Sequence, residues 1–259
     1  YNVVDHKEGL APYFREILRS QVKALFNEKN SLGNYKYHKP GEPKEPYNIY
    51  KDGLKIYTTI DSRLQKYAEK AVATHLKTEL QDELFKDLKK RSKKKYPFDW
   101  RVSEEQVASI LNRAMKQTQR YRTLTGKECA NCGRRGKYIA KSVKKNGNEV
   151  FVCSAADCLY EKHVIPEDSI EILFNTPDTM KVYTWNGDRD SIMTPMDSIR
   201  YYKSFLQAGM MSMDPNTGFI KAWVGGINYH HFKYDHVKQG KRQVGSTFKP
   251  FLYCTRDSN

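Results

Sequence analysis

The sequence predicts an α+β chain. Apolar residues return at helical spacing in two stretches between residues 62 and 115, and short β-like runs bounded by turn residues follow from about residue 137. Hydrophobic residues make up only 39% of the chain against 29% charged, which suits several small surface-rich pieces. Five segments result: 1–53, 54–126, 127–163, 164–206 and 207–259. At 259 residues the chain is long enough to bury a core, and it holds no run near the ~18 apolar residues that span a membrane and no signal peptide at its start.

In the first segment, residues 10–19 read as a helix with Pro12 in its first turn, where a missing N–H does no harm. Residues 37–47 hold three prolines and a glycine and read as a loop or linker. The second segment opens with residues 54–60, whose alternation suits a strand. A helix should follow, with Ser62 and Gln65 as a capping box and Leu64, Tyr67, Ala68, Ala71, Val72 and Leu76 as its apolar face. Helix-favouring charged sequence continues to residue 126, broken near Pro97. It restarts at a second capping box, Ser103 with Gln106, ahead of a stripe of Val107, Ile110, Leu111 and Met115. This reads as a helical insertion.

The third segment carries four of the five cysteines in two pairs, Cys129 with Cys132 and Cys153 with Cys158, twenty residues apart. Two residues between Cys129 and Cys132 let both sulfurs face one tetrahedral ion, and Gly133 suits the tight turn that follows. Residues 137–140 and 149–152 read as short strands around an Asn146-Gly147 turn. The layout is that of a zinc ribbon, although four residues inside the second pair depart from the commonest spacing. A segment this small needs a staple, and two disulfides would supply one as zinc would. Tetrahedral ligand spacing favours structural zinc on Cys129, Cys132, Cys153 and Cys158, with no position left for a catalytic water.

Residues 164–206 have β-like composition: residues 169–174 and 180–185 read as strands beside the turn signals at 175–178 and 186–188, with a helix or extended piece from Pro195 to Phe205. The last segment opens with a hairpin, strands 211–213 and 219–224 around Pro215-Asn216-Thr217-Gly218. Trp223 and Val224 should cover a following helix that carries Ser246 and Lys249. On a helix these two stand on one face, hydroxyl beside amine, and a lysine of lowered pKa can take a serine's proton. Backbone N–H groups at a helix start can hold an oxyanion. A bare S-x-x-K often means only a capping serine and a solvated lysine.

The net charge of +15 implies an anionic partner: nucleic acid, a membrane surface or an acidic wall polymer. Much of it lies in residues 86–95 and 141–145, which as a rule would be solvated faces. His230-His231 reads as a loop pair. One function class is therefore a basic zinc-ribbon nucleic-acid-binding module, with Tyr121 or Tyr138 stacking on bases, although no RNP or helix-turn-helix signature is present.

The other class comes from a resemblance. The segment Arg-Gln-Val-Gly-Ser-Thr-Phe-Lys-Pro-Phe at 242–251 resembles the active-site serine segment of penicillin-binding transpeptidases, and residues 207–226 look like the hairpin that opens that domain in class A, bifunctional penicillin-binding proteins. Residues 37–47 and the strand and helix from residue 54 are similar to the stretch after the glycosyltransferase domain of that family. Residues 164–206 resemble its β-rich interdomain linker. The resemblance implies a piece of a longer peptidoglycan synthase: a helical and β-rich linker with a zinc-ribbon-like insert, then the first hairpin and motif helix of a serine transpeptidase of the penicillin-binding/β-lactamase-like fold.

It further implies Ser246 as nucleophile and Lys249 as its base, D,D-transpeptidation of stem peptides through an acyl-serine without a catalytic cofactor, and acylation by β-lactams. An extracytoplasmic location with an N-terminal membrane anchor elsewhere in the whole protein also follows from it. The family's S-x-N and K-[ST]-G motifs and its Glu-Asp-x-x-Phe glycosyltransferase signature do not occur in the 259 residues, so the segment alone is expected to be inactive.

Overall fold

The computed structural model describes residues 9–91, 95–144 and 146–256; for residues 255 and 256 it describes the backbone alone. Three members of the first basic run (Ser92, Lys93, Lys94) and Lys145 of the second lie outside the described residues. The elements in chain order are α1 (Pro12–Phe26), β1 (His38–Lys39), β2 (Glu42–Pro46), α2 (Ser62–His75), a π-helical turn (Leu76–Leu80), α3 (Gln81–Arg91), α4 (Glu104–Gln117) and α5 (Gln119–Leu124). Then come β3 (Ile139–Val143), β4 (Glu149–Cys153), β5 (Glu161–His163), α6 (Glu167–Asn175), β6 (Asp178–Val182), β7 (Arg189–Met193), α7 (Pro195–Lys203), β8 (Met210–Met213), β9 (Ile220–Val224) and α8 (Lys249–Arg256). The α+β reading holds. Two compact units result: Tyr1–Thr78 with Gln207–Asn259, and Glu79–Leu206.

In the first unit, Pro12 opens α1 as expected. The proline-rich stretch is not a plain linker. His38–Lys39 and Glu42–Pro46 pair antiparallel across Pro40-Gly41, where Gly41 takes a φ of 80° that proline's neighbour must supply to close the turn. The strand expected at 54–60 does not form. Thr59 Oγ1 donates to the Ile220 carbonyl and the Asp61 N–H to the Lys221 carbonyl, but no ladder partners the rest, and Tyr57 is 90% exposed. A strand without a ladder has no reason to hold its geometry.

The capping box at the start of α2 is also corrected. Asp61 is the cap, its carboxylate accepting from the Arg63 and Leu64 N–H groups, as a carboxylate does readily at a helix N-terminus. Gln65 does something else. Its side chain is wholly buried, its Nε2 donates to the Trp223 carbonyl (2.9 Å) and to Glu69 (2.8 Å), and its Oε1 accepts from the Trp223 N–H (2.7 Å). The amide thus takes the place of a neighbouring strand along β9. The buried face of α2 is accordingly Gln65, Ala68 and Val72, with Ala68 and Val72 packed on Ala222 and Val224, while Leu64 and Tyr67 face out.

β8 and β9 pair antiparallel around the Asp214–Gly218 turn, in which the Asp214 side chain accepts from Asn216 and Thr217. Trp223 does not cover the Ser246 helix: its ring lies near Phe14, and its Nε1 donates to buried Asp235 at 3.0 Å. Val224 packs on α2.

In the second unit, α4 begins with the expected capping box, Ser103 and Gln106 bonding reciprocally. Its Val107 and Leu111 join Tyr121, Ile170, Phe174 and Ile199 in the core, with Met115 partly buried against it and Ile110 turned outward. Residues 169–174 are helix and not strand. Ile170 and Phe174, four apart, both enter that core, whereas Ile172, which a strand would place on the same face as both, is 66% exposed. The β6–β7 hairpin turns at 186–188 as read, although its first strand starts at Asp178. Gln81 is a second buried glutamine. It donates to the Ser204 carbonyl and accepts from the Leu206 N–H, both at 2.9 Å, within this unit.

Candidate functional site

Ser246 lies in a 3-10 turn, Gly245–Phe248, and Lys249 is the first residue of α8. Both are exposed, as are Val244, Phe248, Phe251, Leu252 and Tyr253 around them. Gly245 precedes the serine with a φ of 52°, a conformation that favours glycine and that turns the chain into the 3-10 segment. The structure therefore places hydroxyl and amine three residues apart at the start of one short helix, open to solvent.

The cysteines assemble in a built environment. β3, β4 and β5 form one antiparallel sheet in the order β3-β4-β5, with Ile139 opposite Cys153. Cys153 ends β4, and a tight turn 129–133 closes with the Gly133 N–H on the Cys129 carbonyl, Gly133 adopting a φ of 69°. The β5 strand was not foreseen, since three residues carry no period.

All four sulfurs lie within 4.8 Å of one another. Cys129 approaches Cys158 at 3.7 Å and Cys132 approaches Cys153 at 3.6 Å. Four thiolates each ~2.3 Å from one zinc stand about 3.8 Å apart at the corners of a tetrahedron. A disulfide would need about 2.05 Å, so the observed spacing fits one ion among four thiolates. Cys129 and Cys153 are buried together with Ala155, and Ile139 and Cys158 pack against them.

The surroundings support the cluster. Asn131 donates to the Cys158 sulfur at 3.4 Å and, with the Tyr160 N–H, brings that thiol down to about 7 against the effect of burial. At Cys153 the Ala155 N–H favours the thiolate, but burial and the neighbouring thiols outweigh it and push the thiol up to about 12. Glu128, next to Cys129, is 4% exposed. Burial alone would raise its pKa, yet Arg122 and Arg135, each with Nε 2.8 Å from Oε2, hold it below the usual carboxylate range. Glu128 also bridges Arg135 through the backbone, so the ion triad clamps the two limbs of the 129–133 turn. Arg134 forms a bidentate pair with Asp157, joining the first cysteine turn to the second. Sequence reasoning passed over Glu128 and Gln81 and read Gln65 only as part of a capping box, because a lone polar residue in a charged stretch carries no periodic signal.

Residues 159–206 match the family model described as the penicillin-binding protein middle domain. That span begins one residue after Cys158 and covers β5, α6, β6, β7 and α7. Penicillin-binding protein 1A of Vibrio cholerae is 23% identical over 255 residues, 94% of this chain and 26% of that protein. The similarity to a penicillin-binding protein 1A thus runs along nearly the whole chain, beyond the 48 residues of the middle-domain match. Penicillin-binding protein 1A of Neisseria flavescens is 48% identical, and that of Neisseria gonorrhoeae 46%, each over 48 residues that make up 18% of this chain and 6% of the relative. The chain thus spans about a quarter of the length of the Vibrio relative along which it aligns.

Proposed function

We propose that this chain is part of a peptidoglycan synthase whose Ser246 attacks the penultimate D-Ala carbonyl of a stem peptide. The alignment to a penicillin-binding protein 1A along 94% of the chain carries the reading. Lys249 takes the serine's proton, the C–N bond to the terminal D-Ala breaks, and an amine of a neighbouring stem resolves the acyl-serine into a cross-link. The Ser246 N–H supplies one half of the oxyanion hole. β-Lactams acylate the same hydroxyl.

The exposure of Ser246 and Lys249 fits a site completed by the family's S-x-N and K-[ST]-G motifs, which the 259 residues lack; this segment alone is therefore inactive. On this reading the whole protein works outside the cytoplasm from a membrane anchor, where the +15 charge suits an anionic wall polymer or membrane surface. Among the described residues no helix is long and apolar enough to cross a membrane. Fluorescent penicillin should leave the 259-residue chain unlabelled and label the whole protein. Stoichiometric labelling of the short chain would overturn its inactivity.

Cys129, Cys132, Cys153 and Cys158 hold one structural zinc. The ion ties the 129–133 turn to β4 and to the 153–158 turn, in a segment too small to be held by apolar burial. Metal analysis should return about one zinc per chain, bound by four thiolates. Absence of metal together with absence of free thiols at these positions would instead establish disulfides.

Nucleic-acid binding gains nothing from the geometry. Tyr121, one of the two rings available to stack on bases, is buried in the core against Phe174, and Tyr138 is flanked by Arg134 and Lys137.

A further inference from the structure

Two of the sulfur approaches run between the sequence pairs. Cys129 meets Cys158 at 3.7 Å and Cys132 meets Cys153 at 3.6 Å, so each joins the first cysteine turn to the second. The Arg134–Asp157 pair holds the same two turns together without using the sulfurs. Beneath them, Ile139 faces Cys153 across the β3–β4 ladder, and the Ser154 N–H bonds to the Tyr138 carbonyl. The frame that brings the four thiols together is thus partly independent of what the thiols bind. Contraction of each approach by somewhat under 2 Å would reach bonding distance.

We propose that the four cysteines are also a thiol–disulfide switch, in which a two-electron oxidant joins Cys129 to Cys158 and Cys132 to Cys153 and expels the zinc. The proposal rests on the zinc reading for the ion but not for the pairing. The oxidant belongs to the class that accepts two electrons from a pair of thiolates: an exchangeable disulfide, or an azo compound such as diamide. With diamide, one thiolate adds to a nitrogen of the N=N bond. The second thiolate of the pair then attacks the sulfur of that adduct, the S–S bond forms, and the S–N bond breaks with its electron pair leaving on nitrogen.

Each diamide becomes a hydrazine, with its two protons drawn from water. Two such events convert four zinc-bound thiolates into two cystines, four electrons pass to two diamides, and Zn²⁺ is released. Both cross-links tie together the segments that the ion had tied, so the β3-β4-β5 sheet keeps a staple in either state. Pairing within Cys129–Cys132 and Cys153–Cys158 would close two small rings and leave the turns without a covalent link.

The test uses the whole 259-residue chain carrying Cys254→Ser, which removes the exposed fifth thiol in α8 from the count. Diamide is titrated while zinc release is followed with a colorimetric chelator and thiols are counted. Zinc should leave in step with the loss of four thiols, and the chain should stay monomeric. Digestion with trypsin and an aspartate-directed protease separates Cys153 from Cys158, and fragmentation between Cys129 and Cys132 assigns the links.

Cross-links 129–158 and 132–153 support the switch. Links within either sequence pair, links to a second chain, or zinc retained with all thiols intact overturn it. If the purified chain carries reduced thiols and no metal, the zinc reading fails, and the same digestion after diamide still decides the pairing.

Discussion

Gln65 shows how much one side chain can hold. Its amide satisfies both the N–H and the carbonyl of Trp223 and a carboxylate oxygen of Glu69, and it is wholly buried. Gln65→Ala should destabilise the first unit by about 1–3 kcal/mol, the cost of leaving buried backbone groups unpaired. Urea unfolding followed by tryptophan fluorescence would read this as a lower midpoint. An unchanged midpoint would mean that water enters the gap.

Asp61 makes a pH prediction. Its carboxyl is depressed by the Leu64 and Arg63 N–H groups it accepts from. A depressed folded value means the cap contributes fully above the unfolded aspartate value and is lost as pH falls through the folded one. Helical signal from α2 should therefore weaken on acidification below about pH 4. Asp61→Asn, which can cap without titrating, should flatten that dependence in a circular dichroism titration. Both roles escaped the sequence for a common reason: Asp-Ser-x-x-Gln offers two ways to cap a helix, and only the tertiary neighbours decide which residue is free to do it.

Elements with a long period were legible. α1, α2, α4 and the β8–β9 hairpin sit within a few residues of where the pattern puts them, because each buries one face or turns on residues that the geometry demands. Short elements were not. Residues 169–174 alternate apolar and polar as a strand would, yet Ile170 and Phe174 also stand one helical turn apart, and packing with Leu111, Tyr121 and Ile199 chose the helix. That core is the second unit's main apolar asset.

Phe174→Ala should destabilise the unit by about 3–5 kcal/mol through lost burial and a cavity. Calorimetry should show its transition falling while the zinc content of the chain stays near one, since the cysteine cluster has its own frame. Loss of both together would show that the two are one cooperative element. The strand expected at 54–60 failed for the opposite reason: its local pattern was adequate, but a ladder is made by two strands and β9 meets it at only two points.

Across the whole molecule, the sequence marks two candidate centres but not their surroundings. Four cysteines at ribbon-like spacing do converge, with sulfur separations suited to one tetrahedral ion. The Ser246–Lys249 spacing survives at the start of a helix. The ion pairs of Arg122 and Arg135 with Glu128 beside the cysteines are close in sequence yet carry no periodic signal that would have announced them. The proposed function, carried by the similarity to a penicillin-binding protein 1A, turns on one hydroxyl.

The most direct measurement is peptide mapping of the whole protein after exposure to a β-lactam. Tryptic cleavage after Arg242 and Arg256, with Lys249 protected by Pro250, isolates residues 243–256. That peptide should carry one penicilloyl adduct on Ser246, lost in Ser246→Ala. An adduct on any other residue, or one that survives the substitution, would contradict the account.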